Sequence, residues 1–132
     1  MSCASQKETN YLAFEMLIKD SSGGFQSAKN SVIKSQSDLE QLYAQINKTR
    51  KPGYQVPEID LKEEMVLALF MGERSSGGYS ITVSKIVEKE DAMEVHYVET
   101  APKGMATMAI TQPFYMCKTK RSEKEVIFKK SE

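Results

Sequence analysis

A chain of 132 residues, 40% apolar and 27% charged, suits one domain able to bury a core without help from a metal or a disulfide. Eighteen basic residues balance eighteen acidic ones, so the whole-molecule attraction to phosphate or anionic lipid that marks nucleic-acid binders is absent. Two cysteines and one histidine fall short of a structural zinc site, which needs about four ligands at recognisable spacing.

Residues 1–9 are small and polar and read as a flexible tail or tether, with residues 10–132 as a single β-rich domain. The start Met-Ser-Cys-Ala-Ser-Gln-Lys resembles a mature bacterial lipoprotein, in which a cysteine, here Cys3, carries the lipid and a polar tether follows. That reading places the protein in the cell envelope, periplasmic or on an outer membrane, with Cys3 as the only membrane attachment. Without lipid at Cys3 the expectation is a cytoplasmic protein with two free thiols.

Tyr11–Lys19 alternates, with Leu12, Phe14, Met16 and Ile18 on one face of a first strand. Asp20–Gly24 is a glycine turn, and Phe25–Lys34 resumes as a strand, which predicts a first hairpin. Ser37 and Glu40 form a capping-box pattern opening one helix, with Leu39, Leu42, Tyr43 and Ile46 as its single apolar stripe. The helix is expected to end near 47–49, where Asn47-Lys48-Thr49 also matches a glycosylation triplet that is common by chance. After a proline-containing loop, Met65–Met71 is apolar without alternation, the pattern of a strand covered on both faces. Tyr79–Lys89 alternates but slips near Ser84-Lys85, which predicts a bulge, and pairs with Met93–Glu99 through a turn at Glu90-Asp91. Phe114–Thr119 and Glu125–Lys129 read as a last hairpin turning through 120–124. The fold class is α+β: a mostly antiparallel sheet, as a partly closed barrel or a sandwich, with one packed α-helix.

Nothing in the residue inventory supplies a catalytic device. A nucleophile–histidine pair must use His96, and the one conceivable partner is Cys117, whose strand position suits an inert buried thiol. The acidic groups Glu58 with Asp60, Glu63 with Glu64, and Glu88, Glu90 and Asp91 sit at strand ends or in loops, where solvated carboxylates are ordinary. The basic residues Lys118, Lys120, Arg121, Lys124, Lys129 and Lys130 interleave with Glu123 and Glu125, as on a charged sheet edge. No cofactor, metal or nucleic acid is implied. Met105 and Met108, beside Ala106 and Ala109, suit an adaptable apolar contact or core filling. The loop Gly72-Glu73-Arg74-Ser75-Ser76-Gly77-Gly78 is not a phosphate cradle: it lacks the Lys-Ser/Thr that follows the glycine, the next run is β-patterned, and Glu73 repels anions. Two readings of it remain. It is a hairpin loop whose Gly77 and Gly78 supply positive φ, or a partner-binding site made of Arg74, Ser75, Ser76, Gly77, Gly78 and Tyr79.

Val66–Ile81, an apolar strand followed by G-E-R-S-S-G-G-Y-S-I, resembles the PrcB C-terminal domain family. Thr100-Ala101-Pro102-Lys103-Gly104 and Thr111-Gln112-Pro113-Phe114 match that family's later elements, and the resemblance covers about residues 60–128. The helix and first strands are similar to the preceding part of related bacterial lipoproteins. The resemblance implies a non-enzymatic lipoprotein domain, without catalytic residues, that helps a cell-surface protease complex to assemble or stay stable. The partner it implies is a protein, foremost a protease. The glycine turn is more distantly similar to loops with which small β-domains inhibit cysteine peptidases, so inhibition through the same loop is the alternative function. A small Cys-dependent enzyme is the third.

Overall fold

The computed structural model of the chain describes residues 10–23, 25–104 and 108–131, apart from the Thr49 side chain. The lipidation site expected at Cys3, the turn residue Gly24 and the contact residues Met105 and Ala106 lie outside the described residues. The elements are β1 (Asn10–Tyr11), β2 (Phe14–Asp20), β3 (Lys29–Ile33), α1 (Gln36–Ile46), β4 (Glu64–Phe70), β5 (Ser80–Glu88), β6 (Ala92–Thr100), β7 (Phe114–Lys120) and β8 (Glu125–Ser131). They form two four-stranded sheets, one ordered β1-β5-β6-β8 and the other β2-β7-β4-β3. The fold is an α+β sandwich rather than a closed barrel, and among the described residues all strand pairings are antiparallel except β6 with β8.

Two apolar layers hold it together. Met65, Leu67 and Leu69 of β4 and Cys117 of β7 meet Ile81, Val83, Ile86, Met93 and Val95 of the facing sheet. Val66, Ala68 and Phe70 of β4 and Met116 of β7 point the other way, onto Leu39, Leu42, Tyr43 and Ile46 of α1. β4 is therefore buried on both faces, as its unbroken apolar run predicts. Each large side chain so buried contributes about 1.5–3 kcal/mol of hydrophobic transfer.

Double burial also explains where two expected hairpins fail. β2 and β3 do not pair with each other: β2 pairs with β7 and β3 with β4, at opposite edges of one sheet. The half-polar strands take the edges because β4 and β7, apolar on both faces, need the interior. β7 and β8 do not pair either; β8 crosses to the other sheet and lies parallel to β6. β8 has one partly buried side, so a sandwich surface satisfies it. Arg121 anchors the crossing, with Nη1 donating to the carbonyls of Leu61 at 2.9 Å and Lys34 at 3.2 Å.

The β5–β6 hairpin forms as expected, and Ser84 is the residue its register skips, between Val83↔Tyr97 and Lys85↔His96. A second bulge, between Met16 and Ile18, changes the face of β2. Leu12 and Phe14 enter the layer between the sheets, Ile18 the helix-side layer, and Met16 is exposed, so these four do not share a face. The helix cap is Ser35 rather than Ser37. Ser35 is extended and its Oγ accepts from the Asp38 N–H at 3.2 Å, while Ser37 already lies within the first turn. Asn47 of the glycosylation triplet is committed to structure: its amide donates to Tyr54 O at 2.8 Å and accepts from Tyr54 N at 2.7 Å.

Candidate functional site

β4 emerges from the core at Gly72, whose φ is +93°. A Cβ there would lie 3.0 Å from the Ala28 backbone nitrogen, so both conformation and space require glycine. The loop is then fastened on two sides. Glu73 N donates to Gln26 O at 2.9 Å, and the Gln112 amide donates to the Glu73 carboxylate at 3.0 Å. Arg74 and Thr111 exchange both backbone hydrogen bonds, at 2.8 and 2.9 Å, as a one-residue antiparallel bridge. The Thr111 hydroxyl donates to Ser76 O at 2.8 Å. At the far end Gly78 has φ +92°, and a Cβ on it would stand 2.6 Å from the Pro102 Cβ. The left-handed positions are thus Gly72 and Gly78, not the expected pair Gly77 and Gly78. Backbone that needs positive φ at both ends of a loop and hydrogen bonds between them is held, not loose.

The six candidate residues fall on one short arc. The Arg74 guanidinium lies over the Tyr79 ring, 5.4 Å from its centroid, and donates to Glu73 O at 3.3 Å. Tyr79 is half-buried with its ring against the layer between the sheets. Ser75 and Gly78 are exposed, and Arg74, Ser76 and Gly77 are partly covered. Among the described residues Arg74 forms no ion pair, whereas Lys34, Arg50, Lys118, Arg121, Lys124, Lys129 and Lys130 each do. The arc therefore presents a cation, a hydroxyl and backbone, on a fixed frame.

Next to the Arg74–Thr111 bridge the chain leaves large apolar side chains in solvent: Met108 is 95% exposed and Ile110 72%. Core filling is thereby ruled out for Met108. Residue patterns alone do not assign Ile110, Thr111 and Gln112 to this site. The signal for the last two is present in the Thr111-Gln112-Pro113-Phe114 element, but only the fold brings it beside Arg74.

The alternatives for chemistry are pulled apart. Cys117 is fully buried between the sheets, and burial pushes its thiol up to about 12. His96 lies on the strand β6 with its Nε2 3.1 Å from Glu94 Oε1 and is not part of that buried layer. No Cys117–His96 dyad is assembled. The basic residues near the C-terminal end pair off: Lys118 with Glu64 at 3.3 Å, Lys124 with Glu88 at 3.1 Å, Lys129 with Glu94 at 3.0 Å and Lys130 with Glu99 at 3.2 Å. The Glu94 carboxyl is held below its ordinary range by hydrogen bonds from Lys129 and then His96. Of the acidic pairs, Asp60 accepts from the Lys62 N–H at 3.1 Å in a turn, and Glu64 and Glu88 sit in the ion pairs just named. The loop leads into strand β5, not a helix, which agrees with the rejection of a phosphate cradle.

No curated protein and no solved structure matches the chain. Residues 65–120, from β4 through the glycine loop to the end of β7, match the family model described as PrcB C-terminal.

Proposed function

We propose that the domain is a non-enzymatic binding module of the cell envelope that docks a protease, or a subunit of a protease complex, through the Arg74–Tyr79 loop. One observation carries the reading. Arg74 is a cation stacked on an aromatic ring, without an ionic partner among the described residues, on a loop whose backbone is already fixed. A preorganised loop loses little conformational freedom when a partner covers it, so its contacts convert into affinity. Exposed Met108 and Ile110 beside it supply the apolar surface that an arginine-centred contact needs around it. The PrcB C-terminal match supports a protease complex as the setting. A lipid on Cys3 tethers the module at the envelope; palmitate labelling of the full-length protein that persists in Cys3→Ser removes this part of the reading.

The experiment is affinity capture from a solubilised envelope fraction, read by peptidase activity in the eluate. The wild-type domain retains a peptidase, and Arg74→Glu with Met108→Asp lowers recovery about tenfold, as expected for a lost central arginine and its apolar surround. Equal recovery by both proteins overturns the loop's role. The inhibitor reading uses the same rigid loop; a fall in the captured peptidase's activity on adding excess domain would establish it.

A further inference from the structure

A second surface begins at Gln26 and Gln112, the residues that anchor the glycine loop. Among the described residues β3 is an edge strand, with β4 as its one sheet partner. Every second residue of such a strand turns its N–H and C=O away from the sheet, ready to pair with another chain. α1 stands over the same sheet, and the gap between them is an open trough. Its middle, of about 350 Å³, has Lys29, Ser31 and Ile33 on the strand side and Asp38, Gln41 and Gln45 on the helix side. A depression of about 510 Å³ continues it past Gln26 to Gln112, sharing Lys29 and Gln45 with the middle. Another of about 590 Å³ continues it the other way to Lys34 and Arg121, sharing Val32 and Asp38. Together they follow the whole edge of β3, about 17 Å of strand for five residues.

The chemistry of the walls says what fits. The Lys29 ammonium lies 4.7 Å from the Phe25 ring centroid and has no carboxylate partner among the described residues. At the far end Lys34 and Arg121 both contact Glu123, so their charge is already answered, while Asp38 there has no cation partner among the described residues and repels an acid, which leaves the Lys29 end for it. Exposed Gln41 and Gln45 face the strand across the gap and can donate to or accept from a peptide backbone. A purely apolar occupant would strip water from Lys29 and Gln45 without replacing its hydrogen bonds.

We propose that the β3–α1 trough binds an extended segment of a partner polypeptide, which adds as a strand to β3 with an acidic side chain at Lys29. The backbone ladder gives affinity, the helix-side glutamines cover the segment's outer edge, and Lys29 fixes its register. This surface goes beyond the loop reading: most of its residues lie outside the matched stretch 65–120, and it stands if Arg74 proves silent.

The test uses the full chain and a randomised decapeptide library on phage. Enriched peptides, resynthesised, are titrated by fluorescence anisotropy. The expected result is a shared acidic position and about tenfold weaker binding to Lys29→Glu, the loss of one charge-assisted contact. N-methylating successive peptide amides weakens binding at alternate positions, the signature of strand addition. Lys29 is exposed, so Lys29→Glu leaves the fold intact, checked by circular dichroism. An Arg74→Glu control binds the peptide unchanged, which separates this surface from the loop. No enrichment, an N-methyl scan without alternation, or sedimentation showing two copies paired in a way that Lys29→Glu disrupts, each overturns the proposal, the last in favour of a second copy of this chain.

Discussion

Single residues decide how firmly the candidate loop is held. Gly72 combines positive φ with backbone at 3.0 Å from where a Cβ would be, so Gly72→Ala is expected to cost about 1–3 kcal/mol, read as a lower midpoint in urea. Gly78 has similar φ but would press on the Pro102 side chain, and Gly78→Val opens the loop's outer end at comparable cost. Arg74 is only partly covered and forms no ion pair among the described residues, so Arg74→Glu is expected to change stability by less than about 0.5 kcal/mol. That contrast makes it a clean probe of binding. The buried hydroxyls and thiol set the alkaline limit. Burial raises Cys117 from its ordinary 9.0, and Tyr43 and Tyr115 from 10.0, each to about 12; nearby Tyr54 and Cys117 respectively add to the two tyrosines. All three hold their protons more tightly when folded, so the stability they confer is complete below the unfolded values and is lost as pH rises from 9.0 toward about 12. The melting temperature should fall steeply across that window, and Tyr43→Phe should make the fall shallower. A melting temperature flat to pH 12 contradicts this. Asp20 works at the other end. Burial pushes its carboxyl up, but the Tyr54 hydroxyl, the Ser22 and Ser21 N–H groups and Arg50 outweigh burial and hold it below 3.8. Its share of stability is present above pH 3.8 and lost as pH falls below.

At the scale of elements, caps and crossings matter more than propensity. Ser35 satisfies the Asp38 N–H, and Ser35→Ala is expected to cost about 1 kcal/mol, whereas Ser37→Ala should cost almost nothing. Thermal melts of the two variants distinguish the cap the structure uses from the capping-box alternative. Both serines have an acidic residue three positions on, so the pattern fits two frames. The register of the apolar stripe against β4 selects one. Arg121 is the corresponding device for the crossing between sheets. Removing it leaves two partly buried carbonyls, of Lys34 and Leu61, without their donor, so Arg121→Ala is expected to destabilise by about 2 kcal/mol and Arg121→Lys to recover only part. The turn-like stretch 121–124 and the β patterns on either side of it are those of a hairpin, yet β7 and β8 lie in different sheets. Nothing local distinguishes a chain that returns beside itself from one that changes sheet.

At the scale of the whole molecule, two apolar layers share one sheet, so a cavity cut in β4 is felt on whichever side the side chain points. Phe70→Ala opens the helix-side layer, where Phe70 contacts Phe25 at 4.5 Å and Phe114 at 5.7 Å between ring centroids, and is expected to cost about 3–5 kcal/mol. Leu67→Ala opens the layer between the sheets, at about 2–5 kcal/mol. Because the two losses fall in different layers, the double variant should be close to additive in urea melts; strong coupling would mean that the layers move as one. Periodicity alone determined a great deal of this molecule. It identified the doubly buried strand, the amphipathic helix, the β5–β6 hairpin with its bulge, the inert Cys117 and the position of the exposed glycine loop, because each depends on burial pattern or turn chemistry within a few residues. Only the tertiary structure decided which strands are neighbours. Edge or interior position depends on comparing all eight strands at once, and the apolar faces of β4 and β7 displaced the two local hairpins. The same competition brought Thr111 to Arg74 and left β3 with an open edge beside α1, so both candidate surfaces are products of strand order, which no local stretch of sequence encodes.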